Sequence, residues 1–377
     1  MLIYLGCSAL AVVLSTFALL IFGELPLLAG AHLVLAVAIL PLIFGAIAHF
    51  VPVLTRSGQP HRVVLLLPLL LQASGLLVFL HFDGRLGPGA LLAAVYISLP
   101  VCLVFIGWLM ARARHALGKP HPGWRWYLAA LVFLALGLAL VPVMQFWPEV
   151  RQELRGLHLH LNLLGFIGLT AIGTLQVLLP TVLGGPNPEA ALRLRQDLPL
   201  AVAGVLLVGS GAVFGWPLAL LGAGALIVVL GRLWLSWLHR YGLRAMVSDG
   251  ASASLLAALC GFLLLLVFGI AHAIGVMDGH AAVAAFIAAF LLPLVTGALS
   301  QLMPVWRHPG RRTLARDRMR AVLVKGGAIR ALLFVSGGGL LAFGQSSGYW
   351  LTATGLLIFL VVLVRALLFP GPEQKQL

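Results

Sequence analysis

The chain has 377 residues, of which 62% are hydrophobic and only 9% charged, and its mean hydropathy is +1.09. Soluble domains carry about 45–50% apolar and about 25% charged residues, so a water-soluble fold is excluded. The formal charge of +14 has to be read by position along the chain; no separate basic domain exists to grip nucleic acid, and nucleic-acid binding is not expected.

Apolar runs long enough to cross lipid, about 17–25 residues each, occur at 2–22, 31–54, 63–82, 90–111, 126–147, 158–183, 198–214, 217–238, 252–273, 281–305, 323–344 and 349–369. They predict an all-α integral membrane protein with twelve transmembrane helices in a single transmembrane domain. The first run has no small-residue cleavage site after it and reads as a retained span. All but three of the 24 Lys and Arg residues fall on the side that follows the even-numbered spans, the exceptions being Arg85, Arg151 and Arg155. By the positive-inside rule this puts both termini in the cytoplasm, and the arginine-rich face also attracts anionic lipid headgroups. Cys7, Cys102 and Cys260 sit singly inside apolar runs, without CxxC spacing, and read as small core residues.

Span 2 contains LPLIFGAIAHFVPVLTRSG from Leu40 and span 10 contains LPLVTGALSQLMPVWRHPG from Leu292, with eight identities in register 252 residues apart. A weaker copy lies in span 6, where Gly173 and Pro180 keep the spacing of Gly45 with Pro52 and of Gly297 with Pro304. The chain therefore reads as three pseudo-equivalent four-helix units, about 1–125, 126–250 and 251–377. Prolines shared by three helices imply shared kinks and equivalent roles.

Histidine opens each of the three repeat spans. His32 and His160 stand 13 residues before their repeat glycine and His280 stands 17 before its own, a shift of one helical turn, about 6 Å, that on a regular helix keeps the same face. His158 precedes His160 in LHLHLN, His81 ends span 3 and His272 ends span 9, so six histidines gather at the ends opposite the arginines. The remaining six, His49, His61, His115, His121, His239 and His308, lie toward the arginine-rich side and read as solvated or headgroup-facing. A neutral imidazole is a good ligand for heme iron, copper or zinc, and no Asp or Glu is expected in the middle of a span. One histidine at a helix end is more often an interfacial residue bonded to water; three at repeat positions favour a site. His158 and His160 are two residues apart and point about 200° from each other on a regular helix. His158 is therefore expected at or before the first turn, or else the two serve different partners. Gln145, Asn162, Gln176 and Gln301 could support a site or simply pack between helices.

Twelve spans in three groups of four, with histidines at the same ends of spans 2, 6 and 10, resemble the catalytic subunit of heme-copper oxidases and nitric oxide reductases, closest to the reduced relatives of the NnrS type. The resemblance covers nearly the whole chain, but only the repeat and these histidines are specific. It implies a low-spin heme b between His32 and His280 and a copper or second-heme ligand at His158 or His160, with His272 and His81 as further candidates and His272 as an alternative partner for His32. It also implies the cytoplasmic membrane of a bacterium, an electron donor or respiratory subunit as partner, and a redox, nitric-oxide-related or metal-handling role. Span 10 lacks the His-x-His of oxidases, span 7 has no histidine, and no tyrosine follows the span 6 histidines at one-turn spacing. With no buried carboxylate expected either, these departures point away from a proton-pumping oxidase. They leave open an oxidoreductase, a secondary transporter of a small solute, or a cofactor-free assembly partner of a respiratory complex.

Overall fold

In lipid a backbone that is not hydrogen-bonded to itself has no partner, so apolar runs of this length close into helices. The computed structural model describes residues 1–279 and 281–368, and the described residues contain helices and no strands. Twelve helices are long and apolar enough to cross a membrane: α1 (Leu2–Ile21), α2 (Leu27–Thr55), α3 (Arg62–Phe82), α4 (Gly89–Arg114), α5 (Gly123–Phe146), α6 (Pro148–Val182), α7 (Ala190–Phe214), α8 (Trp216–Ser248), α9 (Gly250–Ala273), α10 (Ala282–Arg307), α11 (Leu314–Ala342) and α12 (Ser347–Leu368). The chain is thus an integral membrane protein in contact with lipid. Two of these helices are interrupted at glycines with positive φ, α8 at Gly242 and α11 at Gly326.

Helices α2, α6 and α10 form the inside of the bundle. In them 67, 83 and 72% of the span is buried, whereas no other span exceeds 50%. α2 packs against α1, α3 and α5; α6 against α5, α7 and α9; α10 against α9, α11 and α1. α4 bridges α3 and α5, α8 bridges α7 and α9, and α12 bridges α11 and α1, so each of these contacts is followed by a like contact four helices on.

The inner helices share a feature that apolar periodicity does not announce. Each contains a π-helical stretch, Leu33–Ile39 in α2, Leu161–Gly168 in α6 and Ile287–Leu291 in α10. In α2 and α10 the stretch ends at the residue before the repeated Leu-Pro-Leu, at Leu40 and Leu292. Such segments are rare and concentrate at functional sites. Neighbouring helices press glycines against them. A methyl group on Gly75 of α3 would overlap the Ala36 carbonyl, and one on Gly261 of α9 would overlap the Ala289 carbonyl. Gly261→Ala is expected to destabilise the protein by about 1–3 kcal/mol through overpacking, read as a lower melting temperature in detergent. Gly269→Ala, on the same helix with nothing within 4 Å of the added carbon, should be neutral or slightly stabilising; equal effects of the two would show that the contact is slack.

Candidate functional site

The histidine cluster lies at the ends of α2, α3, α6 and α9. His32 is the last α-helical residue before the π stretch of α2, and His160 is the last before that of α6. The pattern of ring contacts is uniform. His32 Nδ1 bonds the Leu28 carbonyl at 2.9 Å, His81 Nδ1 the Leu86 carbonyl at 3.1 Å, His158 Nδ1 the Gly137 carbonyl at 2.8 Å, His160 Nδ1 the Gly156 carbonyl at 2.8 Å, and His272 Nδ1 the Met277 carbonyl at 3.0 Å. A carbonyl can only accept, so in all five rings Nδ1 carries the proton and Nε2 keeps its lone pair. An outer-shell hydrogen bond of this kind fixes the tautomer and orientation of a metal-binding imidazole.

Two of these rings are held by the same turn. After His81 and after His272 the chain reverses through a glycine with φ near +80°, Gly84 and Gly275. The Gly84 N–H returns to the His81 carbonyl, the Gly275 N–H to the His272 carbonyl, and the carbonyl two residues beyond each glycine, Leu86 or Met277, receives the ring. Phe82 lies between two histidines, stacked on His32 at 4.4 Å and edge-on to His81 at 5.0 Å. His158 and His81 are close enough to act electrostatically on His32, and His272 on His160. Ring contacts among the five described histidines join only His32 and His81, through Phe82. Among the described residues no three His, Cys, Asp or Glu side chains converge as a metal-holding group. His280 lies outside the described residues.

His158 is the eighth residue of an α-helix that runs from Arg151 to His160, so it lies beyond the first turn, and the alternative expectation holds that it and His160 meet different partners. The two rings do take different directions. His158 reaches across to α5, where the absence of a side chain on Gly137 also leaves room for Asn162, whose amide donates to the His158 carbonyl at 2.7 Å. The His160 Cβ lies 4.0 Å from where a side chain on Gly209 of α7 would begin.

A second polar centre was not anticipated. Helix α7 begins at Ala190, earlier than its hydropathy suggests, and carries Asp197 into the bundle with no exposed surface. This corrects the expectation that no carboxylate is buried, although Asp197 is the eighth residue of a 25-residue helix and not in the middle of the span. Arg232 of α8 pairs with it, Nη1 to Oδ1 at 2.9 Å. One helical turn before it, buried Arg193 donates from Nε to Gln176 Oε1 at 3.2 Å and from Nη1 to Ser236 Oγ at 2.6 Å. Arg193 Nη2 and Gln176 Nε2 find no hydrogen-bond partner among the described residues. Two guanidinium groups around one carboxylate leave a net positive charge between α6, α7 and α8.

At this arginine-rich end, the loop before α5 carries His121, whose N–H donates to the Leu54 carbonyl at 2.8 Å. Burial, and then the neighbouring Arg195 guanidinium, push its imidazole below the usual histidine range. On acidification the unfolded chain takes up this proton first, so stability present at neutral pH is lost as the pH falls through the folded value. The melting temperature is expected to be lower at about pH 5 than at about pH 7.5, with the slope reduced in His121→Gln; an unchanged slope would remove His121 as a contributor.

Comparison with family models and with curated proteins gives no match for this chain.

Proposed function

We propose that this chain is a heme-binding redox protein of the membrane, with a heme b held between His32 and His280 near the face opposite the arginines. The observation that carries the reading is that all five described histidines at the end opposite the arginines bond a carbonyl through Nδ1, as His115 also does at the other end, which leaves their Nε2 atoms available in the neutral ring. The donor set suits a heme better than a metal held wholly by side chains, because a heme needs only one or two imidazoles while no three ligands converge among the described residues. A bis-histidine heme supplies one-electron transfer and leaves no open position for gas activation. The chain's own contribution is to orient the His32 ring through the Leu28 carbonyl and to cover one face of it with Phe82. His160 with His272 is the place for copper or a second heme, and a nitric-oxide-related or metal-handling role would reside there.

The same proposal takes the bundle as three four-helix units, supported by contacts that recur every four helices and by a π stretch in each inner helix. It takes the arginine-rich face as cytoplasmic in a bacterial inner membrane, with both termini on that side, and an electron donor or respiratory subunit as partner. A secondary transporter is the second reading, favoured by one observation, the buried Asp197 with Arg232 and Arg193 inside the spans. Optical spectra of the purified protein, oxidised and then reduced, together with iron analysis, separate the two. A low-spin heme spectrum with stoichiometric iron is expected; a colourless, iron-free protein would overturn the heme reading.

A further inference from the structure

On the axis between α2, α6 and α10 lies a cavity of about 90 Å³. Its lining runs along α2 from Ile39 to Phe50 and along α10 from Leu291 to Trp306, so it begins seven residues beyond His32 and is separate from the histidine cluster. Small residues open the space, with Ala46, Ala171 and Ala298 contributed by α2, α6 and α10 respectively.

The polar side chains on the wall are Tyr127, Thr170, Thr174 and Trp306, and two of them hold an atom without a partner among the described residues. Tyr127 hydroxyl meets Thr174 Oγ1 at 3.1 Å, and Thr174 donates to the Thr170 carbonyl at 2.7 Å. Thr170 Oγ1 is buried and finds no partner among the described residues. A helical threonine normally donates to the carbonyl four residues back, as Thr296 does to Leu292 at 2.8 Å. For Thr170 that carbonyl belongs to Phe166, inside the π stretch that ends at Gly168, where carbonyls leave the α register. The π segment thus sets one hydroxyl free on an otherwise apolar wall. Trp306 Nε1 is also unpartnered among the described residues, but by the repeat register it lies three turns along α10 from the level of Thr170, about 18 Å at 1.5 Å per residue. No single water could reach both, and a buried water requires two to four polar partners.

We propose that this axial cavity is a dry binding site for one small, uncharged molecule of gas size, such as dioxygen, seated at the level of Ala46, Ala171 and Ala298 with the Thr170 hydroxyl as the one unbonded polar group beside it. The space is smaller than the roughly 150 Å³ apolar cavities that admit benzene or xenon, which limits the occupant to a few heavy atoms. The site does not depend on the histidine reading.

Crystals of the full-length protein pressurised with xenon test the proposal. One xenon position is expected between Ala46, Ala171 and Ala298, lost in Ala298→Leu and, independently, in Ala46→Leu, which fills the space from another helix. Thr170→Val should keep the xenon and raise the melting temperature, since it removes an unbonded buried hydroxyl without changing shape. Absence of xenon from the wild-type cavity would overturn the proposal. So would ordered water on Thr170 Oγ1, a lipid chain filling the space, or a Thr170→Val variant that melts lower than the wild type.

Discussion

His32→Ala is expected to abolish the low-spin heme spectrum, either by loss of the heme or by conversion to a five-coordinate high-spin form. The ring at this position is oriented by the Leu28 carbonyl and stacked on Phe82, so nothing adjacent on α2 can replace it. His61→Ala, beyond the opposite end of α2, serves as the control and should keep the full spectrum. The second axial position is settled by a parallel pair, with His280→Ala expected to behave like His32→Ala and His272→Ala expected to leave the first heme in place. The reverse outcome would make His272 the partner, and wild-type spectra in both His32→Ala and His280→Ala would dismiss the site altogether.

A comparably large effect is expected on stability from Asp197→Ala. The carboxylate is fully buried and, among the described residues, is the one acidic group paired with Arg232, while Arg193 beside it has one unpartnered nitrogen there. Removing it leaves excess positive charge among α6, α7 and α8; because the Arg232 side chain is 48% exposed, water takes up part of that charge, and the cost is about 1–3 kcal/mol, below the roughly 3–5 kcal/mol of a fully buried pair. Equilibrium unfolding in lipid bicelles would measure this loss. Asp197→Leu combined with Arg232→Leu removes both charges and should recover a good part of it. A single variant as stable as the wild type would mean that water already screens the pair. If the variant is stable but loses uptake of a solute in vesicles, the transporter reading gains the ground that the heme reading loses.

The number and limits of most spans were legible because lipid imposes one rule on every residue, and hydropathy reports it directly. Helix α7 was misjudged for the same reason: the polar sequence RLRQD dragged its start down to 198, although Arg193 and Asp197 find partners on other helices and the helix begins at Ala190. Partner contacts across 17 and 43 residues leave no periodic signal. The histidines were legible as a group, since His32, His81, His158, His160 and His272, five of the six expected together, are described at the helix ends opposite the arginines or in the helix stretch leading to them. Their directions were not. A π stretch advances each residue by less than the 100° of an α-helix, and the stretches in α2, α6 and α10 are 7, 8 and 5 residues long. The one-turn argument that relates His280 to His32 counts every residue as α-helical and takes no account of these segments, and His280 itself lies outside the described residues. The glycines set against these stretches, Gly75 and Gly261, were a signal in the sequence that reads as ordinary membrane-helix composition until the partner backbone is seen.

Burial of the three inner helices bears on how the bilayer acts on this protein. Lipid touches mainly the surrounding helices, so a thinner or thicker membrane is met by their tilting or by local adjustment of the lipid. Helices α2, α6 and α10, two thirds or more enclosed, take their positions from protein neighbours that meet them through fixed glycine contacts. Whatever occupies the axis or the histidine end is therefore mechanically sheltered, and its binding should change little between short-chain and long-chain lipids even where the melting temperature of the whole bundle changes a great deal.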